Sequence, residues 1–435
     1  MKDKDKEKTK IFKKGIIILS PFLLMVPFII AGLYEDVGTK NLFIIFSKRV
    51  VAEAANLALR FYDPYSGRVK KARLCPPQAI KLSHEELLDT KEKLLNFIDS
   101  DIFLKSHLKL KRYDNEQIIY SNLNFFYQPA DEPALEVLRS RFHLDEVIKV
   151  GKNSHEKLLE LAKWVNGQWR YGVPKDVPFN FNAIEILGRA KKGEHFFCSE
   201  YSIVFIQCAL SLGFQGRYVG LDNHVVSEIW LDDYKKWVMF DPTFCVYFKY
   251  KGIPLNCLEI HNVLIEGVSK ELEIIEFNPQ NFPKTDREKL LKNYRNFYIR
   301  MRNDWFTNRF PHWYPLSNSI MNSVEWSDRS TKNSLGIARE TAFKNELYWS
   351  LNVTKINLIK KVEMVDGHIK FRLVLDTMTP NFSHFKININ GKQLILKEGN
   401  ELYWIIVRGE NVIMAQAVNM FGREGRPSLI EFNLI

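Results

Sequence analysis

Phe196-Phe197-Cys198-Ser199-Glu200-Tyr201 opens a run that continues to Leu212 with few polar residues and stops at Gly213. That pattern reads as a buried helix with Cys198 in its first turn and Gly213 at the C′ position, where a left-handed backbone ends a helix. A thiol at a helix start meets free backbone N–H groups and the positive end of the helix dipole, both of which favour thiolate over thiol. Two strand-like runs follow, at residues 216–220 and 224–231, the second beginning with His224. A polar turn from Asp232 to Lys236 then leads into Trp237, Val238, Met239, Phe240 and Asp241, closed by Pro242.

Side chains alternate along a strand, so the turn length decides which residues of this hairpin share a face. A two-residue loop at Asp232 and Asp233 sets His224 directly opposite Asp241. A four-residue loop from Asp232 to Lys235 sets Asp241 opposite Val226, still on the His224 face. An odd loop without a bulge separates them. With an even loop the carboxylate orients the imidazole, and the same face is expected to present His224 to the thiol, giving thiolate, base and orienter. Singly, each residue has an ordinary explanation: a cysteine in an apolar helix packs in a core, a strand histidine is structural, and Asp-Pro ends a strand. It is the joint pattern that points to nucleophilic catalysis.

This segment resembles the transglutaminase-like superfamily, whose core joins a cysteine-bearing helix to strands carrying histidine and aspartate, a circular relative of the papain-like arrangement. The residues that carry the resemblance are Cys198 with Glu200 and Tyr201, then Gly213, Phe214, Gln215, Gly216 and Arg217, then His224 with Glu228. Trp237, Val238, Phe240, Asp241, Pro242 and Thr243 complete it. The resemblance covers roughly residues 150–245 and implies Cys198, His224 and Asp241 as a catalytic triad. Val226 and Phe197 depart from the family pattern, where an aromatic residue often follows the histidine and a small residue or Trp often precedes the cysteine. Both departures bear on substrate preference and leave the triad intact. Downstream of the preceding helix, Gln168 and Trp169 are candidates for the side-chain half of an oxyanion hole, with the Cys198 backbone N–H as the other half.

Working outward, Asn153 and Glu156 make a capping box for a helix whose stripe runs Leu158, Leu159, Leu161, Ala162, Trp164 and Val165 and is expected to pack on the Cys198 helix. Another helix is read from Pro133 to Phe142, and a further one after Ser83 through Leu94, Leu95 and Ile98. At the chain start, residues 1–14 hold seven lysines against Asp3, Asp5 and Glu7, and residues 15–34 carry no charge. Twenty helical residues span about 30 Å, a bilayer core, and the lysines before the span place the N-terminus in the cytoplasm with residues 35–435 outside. A cleaved signal peptide is the rival, but Ile29 and Ile30 stand where a small residue is wanted.

The chain has 435 residues and a formal charge of +11, part of it between Lys48 and Arg73. That excess reads as a solvated face, and no nucleic-acid motif, zinc spacing or phosphate-binding glycine loop is present, so neither nucleic acid, cofactor nor metal is expected. Five cysteines are too few for a disulfide scaffold, and Cys245 with Cys257 is the close pair, with all thiols reduced an equally good reading. Residues 286–302 read as a basic amphipathic helix, and Trp305, Phe306, Phe310, Trp313 and Tyr314 as a cluster that packs against the catalytic part.

Beyond Ser350 the period changes to two. Residues 352–362, 368–376, 385–389, 393–396, 402–407, 412–419 and 428–434 read as seven strands, with Asn390-Gly391 a hairpin turn. Seven strands in so short a stretch suggest an immunoglobulin-like sandwich. The expected fold is therefore α+β: a tail at 1–14, a transmembrane helix at 15–34, a mainly helical region at 35–132, the transglutaminase-like core at 133–245, a helical and aromatic-rich extension at 246–349, and an all-β sandwich at 350–435. The expected function is a membrane-anchored extracytoplasmic cysteine enzyme that opens amide bonds of proteins or cell-wall peptides through a thioacyl intermediate, by hydrolysis rather than cross-linking. The alternative is a catalytically inactive surface scaffold or binding module that retains the fold.

Overall fold

The helix Cys198–Ser211 is the axis on which residues 133–241 are assembled in the computed structural model, and its burial shows why. From Glu200 to Ser211 every side chain is buried, so the helix must be covered on all sides. Helices Pro133–Arg141, Ser154–Asn166 and Ala183–Ala190 share one hydrophobic cluster with it. The N-cap of Ser154–Asn166 is Asn153, whose Oδ1 accepts from the Glu156 N–H at 2.9 Å; the Glu156 carboxylate reaches back to the Lys152 N–H at 2.8 Å. The structure describes residues 87–175, 181–277, 287–307, 323–328, 330, 331, 335, 337, 339–365 and 368–435. The basic tail, the apolar span 15–34, Cys75, Ser83 and the aromatic residues Phe310, Trp313 and Tyr314 lie outside them. Among the described residues no helix is long and apolar enough to cross a membrane.

At its C-terminus the helix closes with Gly213 at φ +82°, the Gly213 N–H donating to Leu210 O at 2.9 Å and the Phe214 N–H to Ala209 O at 3.0 Å. This pair of bonds satisfies the last carbonyls and needs a left-handed residue between them. A Cβ on Gly213 would stand 2.7 Å from Phe421 Cβ, in the turn before the last strand. Gly213→Ala is accordingly expected to cost about 2 kcal/mol, from the left-handed backbone and the forced contact together. Urea unfolding measures it, and an unchanged midpoint would mean that the turn at Phe421 yields freely.

The remaining cover of the helix is a six-stranded sheet in the order Glu340–Thr341, Ser323–Trp326, Phe297–Arg300, Gly216–Leu221, Val225–Leu231, Lys236–Phe240. Pairs from Leu231 with Lys236 to Ser227 with Phe240 correspond to the four-residue loop 232–235, the second of the two even registers. Ile229, Leu231, Val238 and Phe240 point into the cluster of the cysteine helix, whereas Val226, Trp230, Trp237 and Met239 point to the other face. That second face is covered by the helix Cys257–Ile265 and by Tyr294. Its deepest polar group is Arg217, whose guanidinium forks onto Glu228 and lies 4.1 Å from the centre of the Trp237 ring. Glu228 Oε1 accepts from the Cys257 N–H at 2.7 Å and from the Tyr348 hydroxyl at 3.0 Å, so the charge pair is fully used. Among the described residues, Cys198, Cys208, Cys245 and Cys257 form no disulfide.

The C-terminal strands form two facing sheets with one core. All seven expected strands are present, from Thr354–Val365 to Ser428–Leu434. One sheet runs Leu87–Leu88, Thr354–Val365, His368–Thr377, Glu401–Ile406; the other runs Lys392–Leu396, Phe382–Ile389, Gly409–Asn419, Ser428–Leu434, Leu108–Asp114. Trp404 of the first sheet stacks on Phe432 of the second at 5.3 Å. Two expectations are corrected here. The region read as helical before residue 132 supplies an edge strand to each sheet, and its helices Lys91–Ser100 and Ile102–His107 bury Leu94, Ile98 and Leu104 in the sandwich core. Among the described residues of the stretch 286–302, Arg287–Lys292 is helical, Asn293–Arg295 is a tighter turn, and Phe297–Arg300 is a sheet strand. Sheet pairing with Gly216–Leu221, which local periodicity does not carry, overrides the helical pattern there.

Candidate active site

Each triad residue is placed by its local sequence. Glu200, third in the helix, turns its Oε2 back to the Phe197 N–H at 2.9 Å and takes the Ser199 hydroxyl at 2.9 Å. The first turn is thereby locked, and Cys198 stands at it with its side chain partly exposed. Burial pushes the Glu200 carboxyl up to about 7. Segment 171–172 runs alongside Phe196, the Gly172 N–H donating to Phe196 O at 3.1 Å, which brings Trp169 onto the same helix.

His224 lies just before the first residue of Val225–Leu231, its carbonyl accepting from the Leu221 N–H at 2.8 Å. Asp241 follows Lys236–Phe240, pinned by reciprocal backbone bonds with Val246 at 3.0 and 3.3 Å. The Asp-Pro-Thr loop is tied to helix Ser154–Asn166 by Asn166 Nδ2, which donates to Pro242 O at 3.0 Å and Thr243 O at 2.9 Å. His224 Nε2 then reaches Asp241 Oδ2 at 2.7 Å, and the imidazole also hydrogen-bonds to the Cys198 side chain. With Nε2 on the carboxylate, the nitrogen left for sulfur is Nδ1.

One part of the sequence reading changes. Alternation turns Val226 and Met239, and with them the position of Asp241, toward the Tyr294 face, while the cysteine helix covers the opposite one. A shared strand face therefore does not bring His224 to the thiol. The three meet at the end of the sheet, where His224 precedes the ladder and is free of its alternation.

Asp241 has no exposed surface, yet its two oxygens take four donors. Oδ1 accepts the Thr243 and Phe244 N–H groups, each at 3.0 Å, and Oδ2 accepts His224 and the Tyr294 hydroxyl at 3.1 Å. A carboxylate so fully bonded is held in place and fixes the ring. Phe244 stacks on the His224 ring, with centroids 4.7 Å apart and planes 30° from parallel. Burial works to lower the His224 pKa, but the Asp241 charge, its hydrogen bond and Cys198 outweigh that and push it up to about 10.

Sequence reasoning missed Tyr294 and Phe244. Tyr294 lies 53 residues from Asp241 in sequence, and no local pattern marks it. Burial first, then the Asp241 charge, hold its hydroxyl well above the usual value, so it stays a donor. Of the oxyanion candidates, Gln168 has its amide nitrogen on Trp164 O at 2.9 Å, so it caps its own helix instead of donating to the site. Trp169 is buried against Tyr201, rings 4.5 Å apart, and its Nε1 has no hydrogen-bond partner among the described residues.

These contacts fix a pH dependence. A raised folded pKa means that His224 contributes stability in full below about pH 6.5 and loses it as pH rises through about 10. The alkaline limb of the rate profile should follow the same proton. In Asp241→Asn the charge holding that proton is gone, so the limb is expected to fall by about one pH unit or more. Tyr294→Phe leaves the carboxylate in place and is expected to lower the rate by about threefold to tenfold. Rate measurements from pH 5 to about 10.5 check both; an unmoved limb in Asp241→Asn would detach it from the histidine.

Residues 143–242 match the family model described as the transglutaminase-like superfamily, and no curated protein matches the chain. The match begins in the turn before Leu144–Val147 and ends at Pro242, one residue past the aspartate. The segment that carries Cys198, His224 and Asp241 is therefore a transglutaminase-like superfamily domain, of a papain-like family of cysteine enzymes.

Proposed function

We propose that the protein is a cysteine enzyme that opens amide bonds of proteins or cell-envelope peptides. The observation that carries this reading is the chain of contacts from the partly exposed Cys198 thiol through the buried His224 to Asp241. With the thiol proton already on His224 Nδ1, in keeping with its raised pKa, Cys198 Sγ attacks the amide carbonyl, forming a carbon–sulfur bond and a tetrahedral oxyanion. The imidazolium then gives the proton to the leaving nitrogen, the carbon–nitrogen bond breaks, and a thioester remains on Cys198. Water, deprotonated by His224, attacks that thioester and releases a carboxylic acid and the free thiol. The Trp169 Nε1–H and the Cys198 backbone N–H are the donors assigned to the oxyanion. Hydrolysis is the reading adopted, because cross-linking needs a second site that positions an amine.

The experiment is a peptide library digested by the full chain, with products weighed in ordinary and ¹⁸O-labelled water, with and without an added primary amine. Label in the new carboxyl group supports hydrolysis, whereas amine-adducted product in its place would reassign the enzyme as a transferase. The apolar span at 15–34 adds membrane anchorage with the enzyme outside the cytoplasm. A reporter fused after Ile435 is expected to be active outside the cytoplasm, and cytoplasmic activity would overturn that placement.

A further inference from the structure

The sheet face under the cysteine helix carries a second group of polar atoms that the triad does not use. Strand Phe297–Arg300 lies beside Gly216–Leu221, with Gly220 opposite Tyr298 and Val219 opposite Ile299. The next pair in that ladder sets Arg300 beside Tyr218. On its other side Tyr218 faces Ser227, whose hydroxyl donates to Ser202 O at 3.4 Å, one turn into the cysteine helix. Arg300 is therefore two strands from the Ser227 position, about 10 Å sideways, on the same face as Cys198. Burial holds the Tyr218 hydroxyl well above its usual value; Tyr298, Cys198 and Glu200 add to this and Arg300 opposes it, so the phenol lies in the field of both groups.

The guanidinium of Arg300 is 4.3 Å from the Tyr218 ring centre and 4.5 Å from that of Phe181. Both distances are within cation–π range. Arg300 is 2% exposed, and its Nε and Nη1 have no hydrogen-bond partner among the described residues. The two other deeply buried arginines behave differently: Arg217 forks onto Glu228 and Arg302 onto Asp304. Trp305 is in the same position as Arg300. It is 5% exposed, its ring packs 5.6 Å from Phe181 and 6.4 Å from Tyr218, and its Nε1 has no partner among the described residues. Donors without acceptors converge on these two rings, and an unpaired buried cation is costly unless a partner arrives.

We propose that Arg300 and the Trp305 indole N–H form an anion subsite on the sheet face under the Cys198 helix that receives a carboxylate of the substrate, so that the preferred substrates are acidic peptides. This deepens the cysteine-enzyme reading and rests on it for the word substrate. A carboxylate suits the site because a guanidinium pairs with it through parallel N–H donors and an indole adds one more. The carboxylate comes from an acidic side chain or from a peptide C-terminus, and small probes separate the two.

The test uses full-length Cys198→Ala protein, which turns nothing over, titrated calorimetrically with three probes. These are N-acetylglutamate α-amide, N-acetylglutamine and N-acetylglutamine amide, bearing a side-chain carboxylate, a terminal carboxylate and none. One of the acids is expected to bind at least about tenfold tighter than the diamide, and the stronger one names the source. Arg300→Gln in the same background is expected to erase the preference, Arg300→Lys to retain part of it, and Trp305→Phe to weaken the acid severalfold. Equal affinity for acids and diamide, or an unchanged preference in Arg300→Gln, overturns the subsite. If Arg300→Gln does not fold, an unchanged preference in both Arg300→Lys and Trp305→Phe overturns it equally. In the protein with Cys198 intact, the stronger acid is expected to slow alkylation of that thiol by iodoacetamide, and no protection would place the anion elsewhere. Whether alkylation itself needs His224 is read separately, so the nucleophile reading and the subsite can fail independently.

Discussion

Cys198→Ala is expected to lower amide turnover by about 10⁴-fold or more, and His224→Ala by nearly as much, with the fold unchanged by circular dichroism. The two losses are similar because thiol and imidazole act as a unit: one supplies the electron pair and the other moves the proton. Asp241→Asn should cost less, about 10²-fold to 10⁴-fold, since the ring keeps its stacking on Phe244 and its place at the strand start. The structural risk is also smaller at Cys198, which is partly exposed, than at Asp241, which anchors two loop N–H groups and Tyr294. Mass spectrometry of the intact chain mixed with an activated ester resolves the thioacyl adduct directly. An adduct of the same yield and position in Cys198→Ala would end the proposed mechanism.

A fragment of residues 350–435 is expected to give a collapsed proton–nitrogen spectrum, although its seven strands are all in place in the whole protein. The strand Leu108–Asp114 pairs along Ser428–Leu434, so cutting it away bares a full edge. Leu94, Ile98, Leu104 and Leu108 leave the core with it, each buried to within 5% of complete. Losses of this kind run to about 2–5 kcal/mol per large apolar side chain, and four of them exceed the stability of a small domain. The missing piece can be returned in one chain. Asn115 bonds both the N–H and the carbonyl of Ile356, at 2.8 and 2.7 Å, so a short flexible linker from residue 117 to residue 352 spans the join. Dispersed peaks are expected from that fusion and not from the fragment alone. Dispersion in the fragment alone would show that residues 87–114 merely decorate a sandwich that is complete without them.

The helix of Cys198, its glycine stop and the seven C-terminal strands were legible in the sequence because each is a local matter. A buried helix announces itself by an apolar run and a cap, and a strand by alternation over a few residues. The order of cysteine, histidine and aspartate was legible for the same reason, since all three lie within one continuous stretch. Pairings between distant segments were not. Tyr294 reaches Asp241, Phe297–Arg300 joins the central sheet, and Leu108–Asp114 closes the sandwich, each across a sequence gap that no periodicity encodes. Edge pairing is available to any extended segment, and the one that docks is chosen by the side chains it buries on arrival. The sequence by itself thus marked Cys198, His224 and Asp241 as the candidate triad. Only the tertiary structure decided that they meet at the sheet's end, with Tyr294 completing the aspartate's shell, and that the Nε and Nη1 of a buried arginine have no hydrogen-bond partner among the described residues. The physical reason is that burial, unlike helix capping or strand alternation, is a property of the assembled molecule.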